Sequence, residues 1–90
     1  MTLHCVYAVS ALRDGTLTRA LNDGDCVLLL GYAVVATDAH ELLPATTRLY
    51  ALAEDLDAYG IDSTNAALER IDYDGWVALS CELTTQQLWS

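Results

Sequence analysis

The sequence contains no lysine, and its four arginines are set against thirteen aspartates and glutamates in 90 residues. The formal net charge is therefore -9. Binding to a phosphate backbone or to anionic lipid headgroups depends on Lys and Arg side chains. The composition thus argues against direct contact of this chain with nucleic acid or with a membrane surface.

Cysteine is also scarce, with residues only at positions 5, 26 and 81 and no CxxC pair. An odd number of cysteines with no histidine at metal-ligand spacing argues against a disulfide framework and a zinc site. The longest nearly apolar run, residues 26–36, is too short to span a membrane, and no basic residue precedes the first apolar stretch as in a secretory signal. We expect a cytoplasmic protein that holds no metal or cofactor.

Apolar residues, in contrast, are abundant, at 53% of the chain. A chain of this length forms one domain, here residues 1–90, and buries only about 60 to 65% of its unfolded surface. Some apolar side chains must then remain outside the core. Such surface indicates a permanent protein partner.

Short apolar runs without charge alternate with helix signals along the chain. Continuous apolar runs are typical of strands covered on both faces of a parallel sheet. The predicted strands are residues 3–9, 26–30, 47–52, 68–73 and an edge strand at 86–90.

The predicted helices are short. Residues 15–22 and 54–60 each end at a glycine-containing stop, and Asp74 is expected to cap a last helix in which Trp76, Leu79 and Leu83 share a face. The stretch 32–39 fits either a strand or helical turns, and residues 63–65 mark a loop. Strands alternating with helices predict a three-layer α/β domain with a mostly parallel sheet and short helices on both faces.

No residue pattern indicates a catalytic site. His4 lies in a predicted buried strand and His40 in a polar stretch, so neither is placed for nucleophilic catalysis. The acids of residues 54–57 point outward at helical spacing, whereas acid–base catalysis needs carboxylates that converge in a desolvated pocket. The glycines are scattered singly, which is typical of helix and strand ends.

The cysteines are poorly suited to carry sulfur, because a reactive thiolate needs partial exposure and a nearby cation or helix N-terminus. Cys5 and Cys26 lie in apolar strands, where a thiol packs as a small hydrophobic group. Cys81 lies late in the last helix beside Glu82, where the helix dipole and the acid both disfavour a thiolate.

The aromatic residues Tyr73, Trp76 and Trp89 are candidates for an interface. Tyr73 and Trp76 also fit core packing. Trp89, close to the end of the sequence, is expected to dock against the sheet of this domain or against a partner subunit, because Trp is enriched at interface hot spots.

Taken together, several segments resemble the TusB/DsrH family in order along nearly the whole chain. They are Leu3-His4, NDGDCVLLL at 22–30, LYALAEDLDAYG at 49–60, IDYDGWV at 71–77 and the penultimate Trp89. The resemblance implies a flavodoxin-like or DsrE-like subunit. It further implies assembly with TusC/DsrF-like and TusD/DsrE-like subunits into a heterohexamer that relays persulfide sulfur.

The same resemblance indicates what this chain lacks. Related DsrE-type subunits carry their sulfur on a cysteine just after the third strand, and the matching residues 52–54 contain none. Some DsrH members have a cysteine in the first helix, but residues 16–19 here do not, which favours the TusB side and 2-thiolation of the tRNA wobble uridine. Tyr59 replaces a common Arg, and the linker between Ala36 and Pro44 is short.

The sequence therefore predicts a noncatalytic subunit of a sulfur-relay complex. The alternatives are a subunit acting in dissimilatory sulfur oxidation, a carrier in its own right through Cys5, Cys26 or Cys81, and a stand-alone homo-oligomeric DsrE-like domain.

Overall fold

The computed structural model describes residues 1–36, 38–61, 67–83 and 85–90. Its described strands form one parallel sheet in the order β4-β3-β2-β1-β5. Their bounds are β1 Thr2–Val6, β2 Cys26–Leu29, β3 Arg48–Leu52, β4 Leu68–Ile71 and β5 Thr85–Trp89. The predicted α/β class, with a parallel sheet and helices on both faces, is confirmed.

Helices connect the strands. The α-helices are α1 Val9–Arg13, α2 Thr16–Ala20, α3 Ala53–Ala58 and α4 Tyr73–Glu82, and 3-10 helices cover Gly31–Val35 and Ala39–Glu41. From β1 to β4 each strand is added on the same side of the previous one, whereas β5 returns to the other side of β1. Since such crossovers are right-handed, α4 packs on the sheet face opposite to α1, α2 and α3.

The two faces of the sheet bury separate apolar clusters. Alternate strand residues point to opposite faces, so the clusters divide β1, β2 and β3 residue by residue. The first contains Val6, Val27, Leu29, Leu49 and Ala51 with Leu12, Leu17, Val34 and Leu56 from the helices. The second contains Leu3, Cys5, Cys26, Leu28, Leu30, Tyr50 and Leu52 with Leu79 and Leu83 around α4.

Several predicted boundaries are wrong. The run assigned to the first strand ends at Val6, and residues 9–13 form α1, a helix that the sequence reading missed. Residues 31–35 form a 3-10 helix, which decides between the two interpretations of that stretch. The last helix is capped by Asp72 and not by Asp74, because the Asp72 carboxylate accepts a hydrogen bond from the backbone N–H of Gly75 at 2.7 Å. The predicted loop at 63–65 lies outside the described residues.

No helix in the described part of the chain is both long enough and apolar enough to cross a membrane.

Candidate functional site

Two of the three cysteines lie inside the sheet. Cys5 in β1 is 5% exposed and Cys26 in β2 is 2% exposed. Both belong to the second apolar cluster, on the side of the sheet that α4 covers. Burial raises the pKa of both thiols, and this effect outweighs a hydrogen bond to Trp76 at Cys5 and the charge of Arg48 at Cys26. Both residues are therefore buried thiols that pack as core side chains.

Cys81 is the exposed cysteine. It lies in the last turn of α4 next to Glu82, and its side chain lines a surface groove. The unpaired carbonyl groups at the end of a helix carry partial negative charge. A reactive cysteine usually lies near a cation or at a helix N-terminus, and Cys81 lies at the opposite, carboxyl end of α4.

The junction between β3 and α3 is the place where the resemblance puts the carrier cysteine of related subunits. Here it holds two carboxylates that bind backbone N–H groups. Asp55 Oδ2 accepts a hydrogen bond from Gly31 at 2.7 Å, and Glu54 Oε2 accepts one from Tyr73 at 3.2 Å. This junction therefore links the starts of the connections after β2 and β4, and residues 52–55 supply no sulfur nucleophile.

The carboxyl ends of β1 and β5 form another place where chemistry is expected. The chain changes its winding direction around β1, and α/β folds bind ligands at such a switch point. In this chain the carbonyl oxygen of Trp89 accepts hydrogen bonds from the backbone N–H groups of Tyr7 and Ala8 at 2.8 and 3.1 Å. These backbone donors are thus used within the fold.

A groove of about 330 Å³ runs between α4 and β5. Its lining residues are Tyr73, Trp76, Val77, Ser80, Cys81 and Gln86. Tyr73 and Trp76 contact each other edge to face, with ring centroids 5.7 Å apart. Tyr73 and Val77 are 59% and 50% exposed, so this groove, which we call the α4–β5 groove, presents apolar surface.

The third interface candidate, Trp89, docks on its own sheet. Its ring is half-buried against the first apolar cluster, on the face of the sheet opposite to α4. Its indole Nε1–H donates a hydrogen bond to His4 Nδ1 at 3.0 Å. An indole N–H can only donate, so His4 Nδ1 accepts and the ring proton lies on Nε2. That Nε2–H donates to Asp25 Oδ2 at 3.0 Å.

Asp25 completes this buried chain of hydrogen bonds. Its carboxylate also accepts from the backbone N–H groups of Thr2 and Asn22 at 2.8 and 3.0 Å. Burial acts to raise the pKa of Asp25, but the hydrogen bonds from His4, Asn22 and Thr2 hold it below its usual range. The sequence reading treated His4 as structural and did not connect it to Asp25, although an acid directly before a buried strand was an available signal.

A second exposed apolar region lies at the carboxyl ends of the central strands. Tyr32 and Tyr59 contact each other edge to face at 5.8 Å and are 61% and 50% exposed. Tyr7, which follows β1, lies beside Gly31 and is also exposed. None of these three tyrosines is among the residues that line the α4–β5 groove.

Two of the four arginines, Arg13 and Arg70, form ion pairs with carboxylates. Arg13 donates two hydrogen bonds to Asp38 at 2.9 and 3.1 Å, which hold the pKa of that carboxyl below its usual range. Arg70 pairs with Asp57, and the Arg48 guanidinium lies 5.4 Å from the Tyr50 ring centroid. Among the described residues, no three His, Cys, Asp or Glu side chains are grouped to hold a metal ion.

Comparison with known proteins supports the sequence resemblance. A search of curated proteins gives no match for this chain. A family model described as "DsrH like protein" matches residues 9–86, which is well over half of the sequence. The match begins at α1 and ends at Gln86 within β5, so it includes the β3–α3 junction and the residues that line the α4–β5 groove. Membership implies a subunit of a multi-subunit sulfur-relay complex. The chain belongs to the DsrH-like family.

Proposed function

We propose that this chain is a noncatalytic subunit of a sulfur-relay complex that passes persulfide sulfur toward 2-thiolation of the tRNA wobble uridine. The observation that carries the proposal is the placement of the cysteines. Cys5 and Cys26 are buried with raised pKa values, and the exposed Cys81 lies beside Glu82 at the end of a helix. The sulfur is then carried by sister subunits.

The lack of a nucleophile at the β3–α3 junction supports the same division of labour. Asp55 and Glu54 bind backbone N–H groups there, so this junction has a structural role in place of a sulfur-carrying one. Its two carboxylates hold the start of the connection after β2 and the start of α4.

The proposed partners are TusC/DsrF-like and TusD/DsrE-like subunits in a cytoplasmic heterohexamer. The exposed apolar side chains of the α4–β5 groove supply a reason for binding a protein, since Tyr73 is 59% exposed and Val77 is 50% exposed. We place Tyr73 and Trp76 at that contact, whereas Trp89 packs on the opposite face of its own sheet. Tyr and Trp are enriched at interface hot spots because they bury a large area with few rotatable bonds.

The absence of a cysteine at residues 16–19 favours tRNA thiolation over sulfur oxidation. The net charge of -9 and the pairing of Arg13 and Arg70 with carboxylates also support a subunit that does not contact the RNA itself. Another protein of the pathway would make that contact.

Co-expression with the two homologous subunits, followed by native mass spectrometry, tests the assembly. We expect one stable complex that contains all three chains. Tyr73→Asp should weaken it by placing a charge in the apolar contact, whereas Tyr73→Phe keeps the ring and should leave it intact. A stable monomer of this chain that ignores both subunits would contradict the proposal.

A further inference from the structure

The two edge strands of the sheet differ in charge. β4 carries Glu69 and Arg70 at its centre, and both are exposed. β5 has the sequence Thr-Gln-Gln-Leu-Trp, with neither a charged residue nor a proline, although the chain as a whole is strongly acidic. Strand edges that stay in contact with water are usually protected by charges, prolines or bulges, because their open backbone groups can pair with another strand. β4 has such protection and β5 does not.

β5 is also the longer of the two edge strands, so it offers more backbone groups to a strand of another chain. It has five residues, all paired with β1 on one side, and the first four are exposed. Leu88 is 61% exposed, on the same side of the sheet as α4 because it lies opposite Cys5. An open, uncharged strand with an exposed leucine has the features of a strand that pairs with another chain.

We propose that β5 pairs antiparallel with β5 of a second copy of this chain, which joins the two sheets into one of ten strands. A two-fold axis perpendicular to the sheet relates the copies and makes the contact self-complementary. A register centred on Gln87 pairs all five residues. It sets Gln87 opposite Gln87 of the second copy and Leu88 opposite Gln86.

A second copy fits this edge because β5 is compatible with itself. A glutamine amide both donates and accepts hydrogen bonds, so Gln87 can pair with its own copy. No like charges face each other across the β5 pair. Copies of β4 in the same arrangement, centred on Glu69 or Arg70, would set that charge opposite its own copy, which is unfavourable. The pairing uses the backbone edge of β5 and leaves Tyr73 and Val77 on α4 accessible to a sister subunit, although Gln86 of β5 also lines the α4–β5 groove.

Sedimentation equilibrium of the purified full chain, over a series of concentrations, tests this pairing. We expect a monomer–dimer equilibrium, and hydrogen exchange should show protection of the β5 amides that grows with concentration. Gln87→Lys and Gln87→Glu, made separately, should each raise the dimer dissociation constant by roughly fivefold or more, since like charges then face each other. Mixing the two variants should restore the dimer.

Glu69→Lys on β4 is the matched control, because it changes charge on the other edge and should leave the dimer intact. A chain that stays monomeric at every concentration would overturn the inference, as would a dimer that Gln87→Lys does not weaken. Protection of β5 that appears only after sister subunits are added would also overturn it, since the occupant would then be a sister subunit. None of these outcomes changes the co-expression test of the proposed function.

Discussion

Asp25 shows how one buried carboxylate holds together distant parts of this chain. It accepts hydrogen bonds from Thr2, from Asn22 and from His4, and His4 in turn accepts from Trp89. A buried charge is costly unless such partners satisfy it. The side chains of this network tie β1 and β5 to the turn before β2.

Replacing Asp25 with Asn should destabilise the protein at neutral pH. The amide removes the charge and presents N–H hydrogens to donors that need an acceptor, so we expect a loss of about 2 kcal/mol in the free energy of unfolding. Urea denaturation of the two proteins measures the difference. Asp38→Asn, at an exposed ion pair, is the control and should cost much less.

The cost of Asp25→Asn should depend on pH. Because the pKa of Asp25 is lowered in the folded state, its contribution is fully present above the unfolded value of about 4 and is lost as pH falls through the folded value. The difference in unfolding free energy between the two proteins should therefore shrink below about pH 4. A constant difference across that range would contradict the assignment of Asp25 as the stabilising anion.

Some single-residue properties could be predicted from the sequence and others could not. Burial of Cys5 and Cys26 follows from their position in uncharged apolar runs. The hydrogen bond between Trp89 and His4 could not be predicted, because it joins residues 85 positions apart. It depends on β5 pairing with β1, and local spacing contains no information about that order.

At the scale of elements, two aspartates near the N-terminus of α4, Asp72 and Asp74, have different roles. Asp72 has an extended backbone, and its carboxylate caps the helix through Gly75, whereas Asp74 lies inside the first turn. Both fit the composition of a helix start, so sequence alone favoured the wrong one. The geometry of the chain at residue 72 decides between them.

Asp72→Ala should therefore destabilise the protein by about 1 kcal/mol, the usual cost of losing an N-cap side chain. Asp74→Ala keeps the cap and should cost less, since it removes only a favourable interaction with the helix dipole. Thermal unfolding of both variants beside the parent measures the order. An equal loss in the two variants would contradict the role of Asp72 as the cap.

The helix α1 illustrates why element boundaries were harder to predict than element types. It begins after Ala8, has no side-chain cap, and starts with Val9 directly after the apolar run of β1. A short helix with no cap and a β-branched first residue looks like a continuing strand. By contrast, β2 was predicted well because all of its residues are buried between two layers.

At the scale of the whole molecule, the order of strands places the features that matter for function. Winding from β1 out to β4 puts α4 on the face opposite to the other described α-helices, and the return to β5 leaves an uncharged strand at the edge. The alternation of strands and helices predicted the three-layer α/β class from sequence. The order of the strands required the structure, because the return to β1 is a long-range pairing.

At this scale, the positions of the cysteines are the observations on which the proposed function rests. The two buried thiols pack under α4, and the exposed one lies at the end of that helix. The junction after β3 carries carboxylates bound to backbone groups. Together with membership in the DsrH-like family, these features are the basis of our proposal that other chains of the complex carry the sulfur.

Intact mass spectrometry of each subunit tests this division of labour most directly. The complex, purified with its sister subunits, is incubated with a cysteine desulfurase and cysteine before the subunits are separated. A noncatalytic role predicts the added mass of one sulfur atom on a sister subunit and none on this chain, with the same result for Cys81→Ser. A gain of one sulfur on this chain, lost in Cys81→Ser or in Cys5→Ala or Cys26→Ala, would contradict it.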